Sequence, residues 1–242
     1  MKKMVAFVIL AGTIVACKKP VEPAKEYVKL EVQPVYGTSN LYLDSTYLSP
    51  EGYAFKVTDF RFYLTDFING TDTLFDVALY DYRETGTQLT RVEGDKSKFG
   101  NFTAKIGVPA TKNHLDPSTF LNSSPLNISN AGQMHWSWNT GYIFFSIEGK
   151  VDTLNTGNFD LNFSYHIGSD NMLRELNLTN LNWTKSADHE HKATLKFDFL
   201  NFISNPNRSI DLKTEYLTHT AFGQEQLTNK VVESFKESFK AN

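Results

Sequence analysis

The stretch NFDLNFSYHIG, Asn158 to Gly168, decides the fold class. Phe159, Leu161, Phe163, Tyr165 and Ile167 alternate with Asp160, Asn162, Ser164 and His166. A side-chain period of two describes a strand with one buried and one wet face. The same period recurs on both sides of it. In YVKLEVQPV, Val28, Leu30 and Val32 oppose Lys29 and Glu31, and in FKVTDFRFYLTDF, Phe60, Phe62 and Leu64 oppose Asp59, Arg61 and Tyr63. In ATLKFDFLNFI, Leu195, Phe197 and Phe199 oppose Lys196 and Asp198. Half-buried strands separated by Asn-Gly, Gly-Asn and Ser-Asp turns predict antiparallel sheets, and two such sheets packed face to face make a β-sandwich. The high aromatic content, with 19 Phe and 11 Tyr, suits a thick core. The tail departs from the pattern. Leu227, Val231, Phe235 and Phe239 recur at helical spacing and predict one amphipathic C-terminal helix. The expected fold is therefore all-β: an antiparallel β-sandwich of immunoglobulin-like or Greek-key type with that helix packed on it.

The start of the chain reads as an export signal. Lys2 and Lys3 precede an apolar run from Met4 to Val15 that is too short to span a bilayer. Ile14-Val15-Ala16-Cys17 is similar to the lipobox of bacterial lipoproteins, in which the signal is cleaved before the cysteine and the cysteine is acylated. Residues 1–16 are then a signal peptide, 17–27 a lipidated Cys17 with a Pro- and Lys-containing tether, and 28–242 one domain. This places the chain in the envelope of a Gram-negative bacterium, held on a membrane by acyl chains that each contribute about 0.8 kcal/mol per buried methylene. Cys17 is the only cysteine, which excludes an intramolecular disulfide and argues against thiolate chemistry. The net charge of −3 comes from interspersed signs without a basic stripe, so no nucleic-acid partner is expected.

Candidate site residues gather around MHWSWNTGYIFFSIEG, Met134 to Gly149. An aperiodic stretch from Lys112 to Gln133 leads into it, and a loop that long in a compact domain is usually functional. Imidazole suits copper and thioether sulfur suits Cu(I), which brings in His135, His166, His114 and Met134. On an extended strand Trp136 and Trp138 share a face and His135 points away from them. The two tryptophans are equally well read as core, since each can bury on the order of 200 Å². His166 can equally be a hydrogen-bonded histidine on a sheet face, and His114 a solvated loop residue. Glu148 and Tyr165 are possible partners for the second nitrogen of a ligating histidine. His189 and His191, in DHEHK, read as a polar hairpin tip, and His219 as a residue at the start of the terminal helix.

Together VTDFRFYLTDF, LDP, the Met-x-Trp-x-Trp-x-x-Gly-Tyr motif at Met134, Trp136, Trp138, Gly141 and Tyr142, and the Phe-x-x-His-Ile-Gly element ending at Gly168 resemble the MbnP-like copper-binding proteins. The resemblance covers Val28 to Phe239. It implies an envelope β-sandwich that binds copper, as Cu(I) or Cu(II), through histidine and a tryptophan oxidised to kynurenine by a partner enzyme of the di-haem peroxidase type. His166 matches the histidine of that family, whereas His135 stands where the family carries a bulky aromatic. No Gly-rich phosphate loop, His-Glu-x-x-His or Gly-x-Ser-x-Gly frame occurs, so binding is expected rather than catalysis. The alternative is a surface lipoprotein of the same fold that binds a glycan or a protein partner without metal.

Overall fold

The structure, a computed structural model, describes residues 24–136 and 141–241. The signal segment, Cys17 and Trp138 lie outside the described residues.

Two sheets form the sandwich. In one, the Tyr27–Tyr36 strand lies beside Glu190–Asp198, with Gln88–Glu93 on its other side. In the other, the long Ala54–Asn69 strand pairs with Asp72–Asp81, Phe102–Ile106 and Phe145–Asp152, and Phe145–Asp152 pairs in turn with Leu161–Ile167. The period of two marked the strands Tyr27–Tyr36, Ala54–Asn69, Leu161–Ile167 and Glu190–Asp198 but not the others, and inward residues meet between the sheets: the Phe60 and Phe197 rings are 4.7 Å apart. Two pairings are parallel, Tyr27–Tyr36 with Glu190–Asp198 and Leu217–Thr218 with Leu161–Ile167, so the sheets are mixed rather than purely antiparallel. Parallel pairing joins segments far apart in the chain, and no local pattern announces it.

The terminal helix runs Glu225–Glu237 and buries Val231, Val232 and Phe235. Phe235 stacks on Phe145 at 3.9 Å and lies 4.9 Å from Phe197, so one side chain touches both sheets. Phe239 and Phe199 depart from expectation. Phe239 is not helical; it begins the Phe239–Ala241 strand, which pairs with Leu195–Phe197. Phe199 does not continue its strand, because the Asp198 carboxylate accepts from the amides of Leu200 and Asn201 and caps a short helix, Phe199–Ile203.

The aperiodic stretch is not bare loop. It starts within the turn Ala110–Asn113 and contains the turns Pro117–Thr119 and Ile128–Ala131, capped by Asp116 and Asn127. It folds over the outer face of the larger sheet. Tyr63, expected on a wet face, is fully buried there and donates to the Pro125 carbonyl. Ser146 and Thr65 are buried on the same covered face. That cover creates the chemical environment of the candidate site.

Candidate metal centre

Cross-strand register sets up the outer face. Arg61, Ser146 and His166 form one row across three strands, and Asp59, Glu148 and Ser164 form the next. His166 and Glu148 are diagonal neighbours, within reach of each other across a pleat. His166 Nε2 lies 2.7 Å from Glu148 Oε1. A carboxylate can only accept, so Nε2 carries the proton and a neutral ring keeps its lone pair on Nδ1. A carboxylate holding one imidazole nitrogen in this way is the usual support of a metal-binding histidine. The bond to His166 holds the Glu148 carboxyl below the usual range, against the opposing effect of burial.

A second imidazole joins from a distant segment. Leu217–Thr218 adds to the edge of the sheet beside Ser164 and Tyr165 and delivers His219. Its ring lies parallel to His166, with centroids 4.8 Å apart and planes within 9°. Ser164 Oγ sits between them, 3.2 Å from His166 Nε2 and 3.4 Å from His219 Nε2. Trp136 completes the group, 6.3 Å from the His166 ring and 6.5 Å from His219. It is delivered by a hairpin-like ladder in which Trp136 N donates to the Gly141 carbonyl and Ile143 N to the Met134 carbonyl.

The other expected residues are placed differently. His135 bridges to Tyr142 and packs edge-on against its ring at 5.0 Å, yet it lines the same cavity of about 470 Å³ as Arg61, Glu148 and His166. Met134 is fully buried among apolar side chains. His114 pairs with Asp170 at 2.7 Å and lines a separate cavity of about 410 Å³ that Trp136 also borders. Tyr165 faces the core and donates to the Glu215 carbonyl, so it supports neither histidine. His189 hydrogen-bonds Glu26, and His191 belongs to the smaller sheet. His219, expected at the start of the terminal helix, instead faces His166. Nothing in the spacing of EYLTHTAFG links it to residue 166; the link is the parallel edge pairing.

Electrostatics favour neutral imidazole at His219. Burial, then the neighbouring His166, push its pKa down, and Glu148 opposes them. A base whose folded pKa is lowered takes up a proton first in the unfolded chain. Stability therefore falls as pH drops below about 6.5, the unfolded value, toward the folded one. The metal-free protein is expected to lose Tm through this window, and His219→Asn to show a shallower slope there. Equal slopes in thermal melts of the two proteins would remove His219 as the source.

Among the described residues, no group of three His, Cys, Asp or Glu side chains is placed to hold a metal ion. The donor set is two imidazoles beside a tryptophan.

The MbnP family model matches residues 25–221, from the first strand through the His219 loop. MbnP from Methylosinus trichosporium, a solved structure, is 15% identical, covers 75% of this chain and 78% of its own, and superposes with a TM-score of 0.47. No curated protein sequence matches. With the family model spanning most of its length, the chain belongs to the copper-associated MbnP family.

Proposed function

We propose that the protein is an envelope lipoprotein, anchored through Cys17, that binds copper for acquisition, storage or hand-over. The observation that carries this reading is the convergence of His166, His219 and Trp136 from three separate segments onto one corner of the sheet. Copper is the cargo. Two imidazoles suit it in either oxidation state. They also leave room for a further ligand, because Glu148 is engaged by His166 and no group of three His, Cys, Asp or Glu side chains among the described residues is placed to hold a metal ion.

Trp136 is suited to fill it only after modification, because the indole nitrogen is a donor without a free lone pair. Cleavage of the indole C2–C3 bond with one peroxide-derived oxygen atom added to each carbon, followed by hydrolysis that releases C2 as formate, leaves an aryl amine and a ketone, and that amine can coordinate. The oxidising equivalents would come from a di-haem peroxidase partner. His166 and His219 then serve as nitrogen ligands, and Glu148 holds the ring of His166.

The test is mass spectrometry of protein purified from its native envelope, with copper quantified on the same sample. The peptide containing Trp136 is expected to gain about four mass units, the signature of tryptophan-to-kynurenine conversion. Trp136→Phe should abolish that gain. Bound copper with an unmodified peptide would reduce the site to its histidines, and neither copper nor modification would favour a metal-free interaction module. One observation already weighs against that alternative: Trp136 is only 6% exposed, too enclosed to serve as a stacking platform for a glycan.

A further inference from the structure

Gln224 occupies the N-cap position of the terminal helix yet makes no capping hydrogen bond to it. Serine, threonine, aspartate and asparagine are the residues that cap well; glutamine is a poor choice on stability grounds. Its side chain turns back into the preceding loop. There Oε1 accepts from His219 N at 2.9 Å, from Ala221 N at 3.3 Å and from Thr218 Oγ1 at 3.3 Å. One carbonyl oxygen thus gathers donors from three of the four consecutive loop residues 218–221.

Thr220 ties the same loop to the strand carrying the other imidazole. Its hydroxyl accepts from Gly168 N at 3.1 Å and donates to the His166 carbonyl at 3.3 Å. It does so at φ +56°, in the left-handed region where a β-branched residue is an outlier. Such conformations cost on the order of 1–3 kcal/mol and persist only where the surroundings over-determine them, often at functional sites. The base of the loop is held independently, by a 2.6 Å hydrogen bond between Thr218 Oγ1 and Thr228 Oγ1 of the helix.

We propose that Gln224 is a positioning residue that, with Thr220, presets His219 parallel to His166, so that the second imidazole is in place before metal arrives. This rests on the reading of His219 as a copper ligand, but its geometric half stands apart from copper. The loop gains a fixed shape from the helix, and the helix gives up a cap to provide it. A ligand arm ordered in advance pays its conformational entropy during folding instead of on binding.

The experiment uses the full-length protein with Cu(I) alone as the probe, in competition with a chromogenic chelator. A second readout is the nuclear Overhauser effect between the His166 and His219 ring protons in the copper-free protein. Q224A is expected to lose the inter-ring signal and to bind Cu(I) about 10- to 100-fold more weakly, the usual range for residues that orient ligands. Q224E keeps an acceptor oxygen at the same reach, accepts the same three donors, and should retain both. Should Q224A fail to fold, T220G, which removes the hydroxyl tie together with the rest of the side chain and adopts the left-handed backbone without strain, is expected to show the same two losses. An inter-ring signal that survives Q224A overturns the proposal, as does a Q224E variant as impaired as Q224A. Wild-type protein that binds no Cu(I) overturns the copper reading alone, because loss of the ring signal in Q224A would still establish the positioning role.

Discussion

His166→Ala is expected to weaken Cu(I) binding by at least about a hundredfold, close to 2.8 kcal/mol at 1.4 kcal/mol per tenfold. Residues that merely orient a metal ligand account for 10- to 100-fold, so removal of a ligand itself should reach the top of that range or exceed it. The variant should remain folded. His166 lies on the outer face of its strand with 20% of its side chain exposed, and it is not part of the apolar core. Its partner Glu148 is 40% exposed and can be rehydrated when the imidazole is gone. His114→Ala provides the contrast. That imidazole is held by Asp170 in a different cavity, so its loss should leave Cu(I) affinity unchanged. Chelator competition on the two variants separates them, and wild-type affinity in His166→Ala would dismiss His166 as a ligand.

What could be read in advance follows the range of the interactions concerned. The strand Leu161–Ile167 was legible because Phe163, Tyr165 and Ile167 are buried and Asn162, Ser164 and His166 are not, a contrast that local sequence records. Phe199 was misplaced because it keeps the period of two after Phe197, and Phe239 because a spacing of four from Phe235 suits a helix as well as a strand. Capping by Asp198 and pairing of Phe239–Ala241 with the neighbouring strand decided between them. Tyr63 looked solvent-facing because its alternation is correct; what local period cannot show is the Lys112–Gln133 segment laid over that face.

The site shows the same division. His166 and Trp136 were nominated by their motifs, and Glu148 by the usual need of a ligating histidine for a carboxylate. His219 was missed because its proximity to His166 depends on an edge pairing between residues 53 positions apart, Leu217 with Ser164. A motif names residues near one another in the chain, whereas a metal centre collects them from elements that meet only after folding.

Gly168→Ala is expected to damage fold and site together. The obstacle is space. A Cβ at this position would come within 2.9 Å of Trp136 Nε1 and 3.1 Å of Ile143 Cα, and closer still to the Tyr142 carbonyl oxygen. Two of these three atoms are backbone, on the chain segment that carries Trp136, and cannot rotate out of the way. Either that segment lifts from the sheet edge or the Gly168 strand end shifts and breaks the hydrogen bond from its amide to Thr220. Overpacking of this kind costs typically 1–3 kcal/mol, and the rigid neighbours place Gly168→Ala near the upper end. For a domain of this size, about 2–4 °C per kcal/mol converts that to a Tm loss of roughly 5–10 °C. Gly100→Ala is the matched control, because its Cβ would meet only the Ser97 carbonyl oxygen at 3.8 Å and its backbone is already right-handed helical. It should melt at or slightly above the wild-type temperature. Because the added methyl presses on the indole, Gly168→Ala should also separate Trp136 from the two imidazoles and reduce both its modification and Cu(I) affinity. A Gly168→Ala protein that melts within about 1 °C of wild type would show that the hairpin yields freely, and the close packing of Trp136 against this strand end could then not be what holds it beside His166 and His219.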